Sequence, residues 1–383
     1  MNAFITAVST FLPGSPVGND SLAEYLGEVS KISAKTQKII LRNNGITNRY
    51  YALERDTGKT THSNAQLAAE AIRLLPLNTS LSGGSIACLC CGTSSPDQIM
   101  PGHGSMVHGE LDLGPCEVIT TAGICLSGIT ALKHGAMSVA LGMSHNAVAT
   151  GSELASTFLR NDFFQTMTGK AGLPLEGSHP AFSFEAEFLR WMLSDGAGAV
   201  LIGQKPLEDG LSLKIDWIET ISHAHLLEPC MYAGAVKEDD GSLTGWRECV
   251  ISGTLEKQGV MTIKQDARLL NQEIIESTVA KSLPSIIKKH DLAPTDVDWF
   301  LPHYSSEYFK RPLDTKMKEI GFAIPEDRWF TNLRTKGNTG SASFYIMLEE
   351  LYSSGQLRKG DRILGMVPES GRFSVGWLLL TVV

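Results

Sequence analysis

The sequence predicts an α/β protein built from two packed units. Its 383 residues are more than one compact core usually holds, and both halves alternate strand-like and helix-like segments. The hydrophobic content of 43% and the charged content of 19% are ordinary for a globular chain. We therefore expect strands covered by helices in each unit, with the first unit spanning residues 1–205 and the second spanning residues 206–383.

In the first half, hydrophobic periodicity assigns the segments. Short β-branched runs predict strands, and apolar residues at three- and four-residue steps predict helices. The predicted strands are 3–11, 85–92, 117–121, 147–155 and 195–204, and the predicted helices are 20–32, 65–75 and a segment that starts at Leu126. Residues 156–190 mix aromatic side chains with Gly and Pro, which indicates either an inserted cap over an apolar pocket or a satellite hydrophobic cluster.

The second half continues the alternation. It contains predicted strands at 211–222 and 298–302, a Gly-rich and charged loop at 230–258, and a long amphipathic helix at about 264–290. A Gly-rich turn then leads into an apolar helix, and two strands joined by a turn close the chain.

Charge and cysteine content limit the classes of partner. The net charge of −8 argues against nucleic acid and anionic membrane surfaces as main partners. The N-terminal MNAFITAVSTFLPG lacks the basic segment of a signal peptide, and no apolar run reaches the length of a spanning helix. Seven cysteines fit a reducing cytoplasm. Cys88, Cys90 and Cys91 crowd one strand, but no second Cys/His pair at metal-binding spacing accompanies them, so we expect no metal site.

Cys125 is the leading candidate nucleophile. It follows the strand at 117–121 after a sharp turn and precedes a helix whose apolar residues begin at Leu126. The free N–H groups and the positive dipole end of that helix favour a thiolate over a thiol. Gly123 and Gly128 bracket the cysteine and let a substrate approach closely. The alternative interpretation is a small core cysteine.

Two strand-to-helix junctions in the second half place His303 and Asn338. Ligands bind at such junctions in open α/β sheets. A thiolate accepts an acyl group as a thioester, and neutral imidazole and amide N–H groups can stabilise the enolate of a second substrate. The backbone N–H groups of Cys125 and Gly371 are candidates for the hole that holds the acyl oxygen. The same Cys, His and Asn could equally serve acyl hydrolysis by a protease-like mechanism.

Short motifs along nearly the whole chain indicate a family. In order they are NNGITNRYYA, THSNAQLAAEA, TSSPDQIMPG, TTAGICLSG, ATGSELAS, SDGAGAVLIG, DWFLPHYSS and GNTGSAS. With them the sequence resembles the β-ketoacyl-(acyl carrier protein) synthase III family of thiolase-like condensing enzymes. GNTGSAS is close to the family's GNTSAAS and places Asn338 at the catalytic Asn. PHYSS stands where the family has PHQAN and retains His303, and TAGICLSG matches the segment around the acylated cysteine, here Cys125.

The resemblance implies a fold and a reaction. The fold is thiolase-like, with two halves related by a pseudo-twofold axis, five α-β-α-β-α layers and an obligate homodimer. The reaction is acylation of Cys125 followed by Claisen condensation with a thioester on acyl carrier protein or CoA, without a metal or nucleotide cofactor. Thiolases fit less well because they use a second cysteine in a C-terminal segment. Type III polyketide synthases fit less well because PESGRF stands where they have GFGPG.

Three departures from the family pattern suggest a secondary-metabolism branch. YSS replaces QAN, Pro368–Arg372 replaces the usual Gly-rich loop, and residues 156–190 form an aromatic-rich insertion. This branch resembles ketosynthases that join a β-ketoacyl thioester to an unsaturated acyl thioester and cyclise the product to a cyclohexanedione, the precursor of dialkylresorcinols and related stilbenes. Glu153 is a candidate acid or base for such chemistry and Glu369 is a second, and either could instead be a structural carboxylate.

The resemblance also implies an acidic carrier protein as partner, which requires a local basic patch despite the net charge. Candidate docking residues, which could equally be solvated surface charges, are Lys257, Lys264, Arg268, Lys310 and Arg311. Two alternative functions stay open: an acyltransferase to an oxygen or nitrogen acceptor, and a non-catalytic partner of an active homologue. The presence of Cys, His and Asn argues against the non-catalytic partner.

Overall fold

The computed structural model describes residues 2–27, 34–76, 85–163, 188–255 and 259–383. The strands are β1 (Phe4–Phe11), β2 (Val17–Gly18), β3 (Asn48–Arg49), β4 (Cys88–Thr93), β5 (Glu117–Ala122), β6 (Asn146–Glu153), β7 (Gly196–Gly203), β8 (Leu213–Ser222), β9 (Met231–Tyr232), β10 (Ala235–Lys237), β11 (Leu243–Gly245), β12 (Lys264–Gln265), β13 (Trp299–Pro302), β14 (Arg362–Glu369) and β15 (Ser374–Val382). The α-helices are α1 (Leu22–Leu26), α2 (Ala34–Asn44), α3 (Asn64–Arg73), α4 (His103–Glu110), α5 (Ser127–Ala140), α6 (Ser156–Leu159), α7 (Trp246–Ile251), α8 (Ala267–Ile275), α9 (Leu283–His290), α10 (Lys310–Glu319), α11 (Leu333–Lys336) and α12 (Ser343–Ser353).

The central sheet confirms the α/β prediction. Nine strands lie in the order β13-β14-β15-β8-β1-β7-β6-β4-β5, and β1 joins the two half-sheets by pairing with β8. In the first half, β4 pairs in parallel with β5 and β6, and β7 and β1 follow antiparallel. In the second half, β13 pairs in parallel with β14 and through a single bridge with Trp329, and β15 and β8 follow antiparallel. The two halves therefore share one strand arrangement, and the predicted boundary after residue 205 lies in the connection between β7 and β8.

Helices cover both half-sheets and fill the space between them. Helices α3 and α4 pack on the outer face of the first half. Helices α5 and α12 lie between the half-sheets, since α5 contacts β4, β6 and β8 and α12 contacts β1, β7 and β13. Helices α8, α9 and α10 cover the outer face of the second half. This arrangement is the five-layered thiolase-like fold that the sequence predicts.

Two predictions in the second half are wrong. The segment 230–258 is not simply a loop, because β10 and β11 form a hairpin around Gly241, whose φ of +82° suits glycine, and α7 follows. The segment 264–290 is not one helix, because its start pairs with β9 as strand β12 and a π-helical turn separates α8 from α9. Pro284 in the first turn of α9 lacks an N–H donor and so favours a new helix start at that point.

Two predictions in the first half fall partly outside the described residues. The helix predicted at 20–32 is described as far as α1, and residues 28–33 lie outside the description. Of the predicted cap at 156–190, helix α6 and the segment from Phe188 onward are described, and residues 164–187 are not. Within the described part of the chain, no helix has the length and apolar character needed to cross a bilayer.

Candidate active site

Cys125 lies in the turn between β5 and α5, as the sequence predicts. Helix α5 begins at Ser127, whose N–H and hydroxyl donate to the carbonyl oxygen of Ile124 at 3.1 Å and 2.8 Å. These two bonds fix the turn and place Cys125 next to the helix start. Its side chain is buried, with 8% of the residue exposed.

The surroundings of Cys125 oppose a thiolate. Burial raises the pKa of its thiol, and the carboxylates of Glu153 and Glu369 raise it further. The backbone N–H of Cys125 itself lowers the pKa, but by less. The predicted preference for a thiolate is therefore wrong for the free protein, because desolvation and two nearby negative charges outweigh the helix dipole. Acylation requires either a base or a change in those charges.

His303 directly follows β13, at the predicted junction. Its backbone N–H donates to the carbonyl oxygen of Met366 at 2.8 Å, which extends the pairing of β13 with β14 by one residue. The imidazole is buried, and burial lowers its pKa to about 4. At neutral pH the ring is therefore uncharged, which is the state required of an N–H donor that must not protonate an enolate carbon.

Asn338 connects the second half to the first through its backbone. Its N–H donates to Met192 and its carbonyl oxygen accepts from Ser194, both at 2.9 Å. The side-chain Oδ1 accepts the N–H of Gly340 at 3.0 Å. Because the oxygen of the amide is engaged in the turn, the Nδ2 end is the one presented to a ligand as a donor.

Two glycines let the two halves approach closely at the site. A Cβ at Gly128 or at Gly151 would lie 2.2 Å from the carbonyl oxygen of Ser341. Gly128 is three residues after Cys125, and Ser341 is three residues after Asn338. Any side chain at these glycines would push the second half away, so this contact sets the separation of the two catalytic candidates.

Two apolar pockets meet at Cys125. We call them the amide pocket, which contains Asn338, and the imidazole pocket, which contains His303; Cys125, Ser305 and Ser370 line both. The apolar lining of the amide pocket includes Ala155, Leu189, Met192, Leu193, Met231 and Ile263. The apolar lining of the imidazole pocket includes Leu270, Ile274, Ile275, Phe309, Leu313 and Met366. The thiol thus lies between two chambers, and each chamber has one of the predicted donors.

The described end of the predicted cap contributes to this lining. Leu189 is buried and lines the amide pocket. At the other end, Phe158 and Phe163 form an edge-to-face pair and line an outer cleft that shares Ser95 with the amide pocket. Both described ends of the segment therefore line apolar pockets, and the cap itself stays a prediction.

Gly371, the predicted oxyanion-hole donor, lies beside the site with its N–H engaged. It donates a 2.6 Å hydrogen bond to Oε1 of Glu369. The turn is held from its other side, since the carbonyl oxygen of Gly371 accepts the N–H of Cys230 at 2.8 Å. Glu369 is buried, and burial raises the pKa of its carboxyl group. In the free protein a carboxylate oxygen therefore occupies the donor that an acyl oxygen would need.

Glu153 accepts five hydrogen bonds. Ser94 and Ser341 each donate through the N–H and the hydroxyl, and Ser95 donates through its hydroxyl. Burial raises the pKa of Glu153, and the bonds from Ser94 and Ser341 lower it. Both carboxylate oxygens are engaged, so the geometry supports a role in tying the Asn338 turn to the first half. An acid or base role for Glu153 stays a prediction.

Lys264 is not a docking residue. The residue is 3% exposed, and its Nζ donates to the carbonyl oxygen of Ala235 at 3.0 Å and lies over the ring of Tyr232. The prediction fails because β12 pairs with β9, which turns this side chain inward. Burial lowers the pKa of Lys264 to about 8.

The other docking candidates differ in exposure. Arg268 on α8 and Arg311 on α10 are exposed, and both helices contribute to the imidazole pocket. Lys310 is half-buried and forms an ion pair with Glu326 at 3.2 Å. Lys257 lies outside the described residues.

Sequence reasoning missed three residues of the site. Ser305 and Ser370 line both pockets, and Gln265 lines the amide pocket and donates from Nε2 to the Ser370 hydroxyl at 3.0 Å. Ser305 belongs to YSS and Ser370 to PESGRF, the two short segments that depart from the family pattern. The departures from the family pattern were therefore the signal that could have found the two serines, whereas no such signal marks Gln265.

Comparison with known proteins finds similar sequences. The family described as 3-oxoacyl-[acyl-carrier-protein] synthase III C terminal matches residues 287–379, which include His303 and Asn338. A β-ketoacyl-[acyl-carrier-protein] synthase III of Clostridium perfringens is 25% identical and covers 99% of both chains. The corresponding protein of Koribacter versatilis is 23% identical over 99% of this chain and 97% of its own.

Solved structures show the same fold. OleA of Xanthomonas campestris with bound lauric acid and lauroyl-CoA has a TM-score of 0.75 at 19% identity, and the match covers 100% of this chain and 99% of OleA. AbyA1, a tetronic acid condensing enzyme, has a TM-score of 0.72 at 18% identity and is matched over 99% of both chains. The chain is similar to β-ketoacyl-[acyl-carrier-protein] synthases III over nearly its whole length, and it has the thiolase-like fold.

Proposed function

We propose that this protein is a condensing enzyme that joins two acyl thioesters through a carbon–carbon bond, with Cys125 as the nucleophile. The main support is the meeting of two apolar pockets at its thiol. Transfer of an acyl group to water or a small acceptor needs one acyl chamber, whereas condensation of two acyl chains needs two. Each chamber also holds a side chain, Asn338 or His303, that can donate to an enolate oxygen.

The first step is acylation. Sγ of Cys125 attacks the carbonyl carbon of an acyl-CoA or an acyl carrier protein thioester, a new C–S bond forms, and the bond to the departing thiol breaks. The proton of Cys125 leaves on that departing thiol. His303 lines the imidazole pocket with Cys125 and is uncharged at neutral pH, so it can relay this proton. The acyl oxygen needs the N–H of Gly371, so Glu369 must release that N–H during this step.

The second step is condensation. A β-ketoacyl thioester becomes an enolate by loss of its activated C2 proton to solvent, and a malonyl thioester does so by loss of carbon dioxide. His303 and Asn338 donate to the enolate oxygen, and the Cys125 thiolate released in the final bond cleavage takes up one proton from solvent. C2 then attacks the thioester carbonyl, and the sulfur of Cys125 departs. Both substrates are thioesters, and the reaction as written requires no metal or nucleotide cofactor.

Ring closure to a cyclohexanedione is the more specific proposal. Two chains that enter from the two pockets have their reactive ends together at one thiol, as an intramolecular ring closure between a β-ketoacyl unit and an unsaturated acyl unit requires. Ser305 and Ser370 add hydroxyl groups at the place where the pockets meet. Both come from segments that depart from the family pattern, which supports assignment to a secondary-metabolism branch.

One observation favours a second candidate, a non-catalytic partner subunit. The N–H of Gly371 is engaged by Glu369, and burial together with two carboxylates raises the pKa of Cys125. A subunit whose site never binds an acyl group would also have an engaged Gly371 N–H and a Cys125 thiol that stays protonated. Acylation of Cys125 distinguishes the two candidates.

We also propose a homodimer that forms along β5. This strand is the edge of the sheet, and Met137, Leu141 and Met143 near the end of α5 are exposed. An edge strand beside exposed apolar side chains is unfavourable for a monomer in water. Sedimentation of Met137→Glu/Leu141→Glu should show monomer, whereas Leu226→Glu, at an exposed apolar residue elsewhere, should leave the dimer intact. A wild-type monomer would refute the proposal.

Arg268 and Arg311 are the proposed contacts of an acidic carrier protein. Both are exposed on helices that line the imidazole pocket, so a docked carrier could deliver its thioester there. Charge reversal at both positions should raise KM for a carrier-bound substrate and leave KM for the same acyl-CoA unchanged. Equal effects on both substrates would argue against docking at these residues.

Intact-protein mass spectrometry tests the proposed function. Wild type and Cys125→Ala are incubated with a panel of acyl-CoA and acyl carrier protein thioesters, and the mass of each protein is measured. We expect an acyl adduct on the wild type alone, and release of that acyl group into a condensed product when a β-ketoacyl thioester is added. If the wild type is folded but no donor gives an adduct, the proposal of a condensing enzyme is refuted. The non-catalytic partner subunit then becomes the better explanation.

A further inference from the structure

A second cluster of reactive side chains lies beneath helix α5, away from the two pockets. Cys88 and Cys90 are separated by one residue on β4, so their side chains point to the same face of the sheet. Both are fully buried, and their Sγ atoms are 3.5 Å apart. The two sulfurs therefore converge on one point in the layer between β4 and α5.

The structure adds the third group, which the spacing in the sequence does not reveal. His134 lies on α5, which packs against β4. One ring nitrogen of His134 and the sulfurs of Cys88 and Cys90 all lie within 4.8 Å of one another. His134 is half-buried, whereas the sulfurs are buried, so an ion could enter from the imidazole side. We expected no metal site because the sequence has no second Cys/His pair at metal-binding spacing. The fold brings a histidine of α5 next to the cysteines of β4.

Small side chains surround the two sulfurs. Across the sheet, Cys88 pairs with Ala147 and Cys90 pairs with Ala149, so small side chains flank both sulfurs on the same face. On the helix above, position 135 is a glycine, and a Cβ there would lie 3.7 Å from Sγ of Cys90. On the other side, Cys88 pairs with Glu117 of β5, an exposed carboxylate next to the cluster.

We propose that Cys88, Cys90 and His134 bind one Zn²⁺ ion. Two thiolates and one neutral imidazole form a neutral complex with a divalent cation, which allows the ion to be buried. Sulfur and imidazole ligands in a tetrahedral arrangement are those that Zn²⁺ prefers, and the fourth position is open to water or to Glu117. Since α5 also starts beside Cys125, the ion would fix this helix on the sheet and would take no part in the acyl chemistry.

Cobalt substitution tests the site directly. Reduced, chelator-treated protein is titrated with Co²⁺ and then with Zn²⁺. We expect one Co²⁺ per chain, a thiolate-to-cobalt charge-transfer band, the intense visible bands of tetrahedral cobalt, and displacement of all bands by Zn²⁺. We also expect Zn²⁺ to raise Tm, because an ion that binds only the folded state stabilises it.

Two variants and one control make the result specific. Cys90→Ala removes a ligand from the core, and His134→Gln removes one from a half-buried position where folding is less at risk. Both should lose the charge-transfer band and the Zn²⁺-dependent rise in Tm. Cys249→Ala removes a buried cysteine elsewhere and should keep both. A wild type without the band, a band that survives in folded His134→Gln, or a Cys88–Cys90 disulfide in place of metal binding would overturn the proposal.

Discussion

The N–H of Gly371 donates a 2.6 Å hydrogen bond to the carboxylate of Glu369. In the proposed reaction that N–H should stabilise the acyl oxygen on Cys125, so the free protein places a negative charge where the transition state develops one. A Cβ at Gly371 would lie 2.1 Å from the same carboxylate oxygen, so the contact also requires glycine. The proposed oxyanion-hole donor is thus engaged by a side chain of its own turn.

Removal of the Glu369 charge should activate Cys125. Glu369→Gln keeps the shape of the side chain and removes one of the two carboxylates that raise the pKa of the thiol. We therefore expect alkylation of Cys125 by iodoacetamide at pH 7 to be faster in Glu369→Gln than in wild type, by about tenfold for each unit by which the pKa of the thiol falls. Measured alkylation rates of both proteins, with Cys125→Ala as the background, check this.

Acylation and condensation rates then separate two roles of Glu369. If the carboxylate only fills the oxyanion hole, Glu369→Ala, which also frees the Gly371 N–H, should speed acylation. If Glu369 is an acid or base, its variants should slow condensation and leave acylation unchanged. Equal alkylation rates in wild type and Glu369→Gln would show that the carboxylate has no influence on the thiol.

The pKa of His303 predicts how pH affects stability. Burial lowers this pKa to about 4, so the unfolded chain takes up a proton before the folded protein does. The contribution of His303 to the free energy of unfolding is fully present above the ordinary pKa of histidine, about 6.5, and decreases as pH falls toward 4. Between pH 7.5 and pH 5, the free energy of unfolding of wild type should therefore fall by about 2 kcal/mol because of this residue. A His303→Gln variant should not show this loss.

Urea unfolding at pH 7.5 and pH 5 measures the effect of His303. The difference in free energy of unfolding between wild type and His303→Gln should shift by that amount between the two pH values. The matched control is His225→Gln, which changes an exposed histidine. A His303 difference that stays constant with pH would mean that the imidazole has the same pKa in the folded and unfolded chains, so that burial does not keep the ring uncharged below its ordinary pKa.

Structural features that are determined by neighbouring residues in the chain can be predicted from the sequence. The change from a β-branched run to helical spacing places Cys125 at a turn, and the same reasoning places His303 and Asn338, all where the structure has them. Contacts between distant segments are not encoded in local spacing. The pairing of β12 with β9 buries Lys264, and the turn at Glu369 engages Gly371; neither follows from hydrophobic periodicity.

Glu153 should matter more for stability than for proton transfer. It accepts five hydrogen bonds from serines of both halves, and a buried donor left without a partner costs about 1–3 kcal/mol. Glu153→Ala should therefore unfold at a lower denaturant concentration, with a loss of about 3 kcal/mol or more. Ser341→Ala, which removes one donor to Glu153, should lose about 2 kcal/mol.

An isosteric variant tests the alternative role of Glu153. Glu153→Gln keeps the size of the side chain and removes its ability to take a proton. If Glu153 is structural, acylation and condensation rates should fall together, in proportion to folded protein. Loss of condensation alone, in a protein as stable as wild type, would establish Glu153 as the acid or base.

The two pockets should control the two acyl chains separately. Ile263 lines the amide pocket and Ile275 lines the imidazole pocket, and both are half-buried. Ile263→Phe and Ile275→Phe therefore make the same change in opposite chambers, at positions where added volume strains the core least. Each methylene that no longer fits should lose about 0.8 kcal/mol, or about fourfold in kcat/KM.

A ladder of chain lengths tests this separation of the pockets. Adduct formation on Cys125 reports the longest acyl donor accepted, and product analysis with a fixed adduct reports the longest second substrate. We expect one variant to shorten only the donor and the other to shorten only the second substrate, with Leu226→Phe on the surface as the control for an added aromatic ring. If both variants shorten the same substrate, the pockets form one channel for one chain, and an acyltransferase with a small acceptor becomes the better explanation of the site.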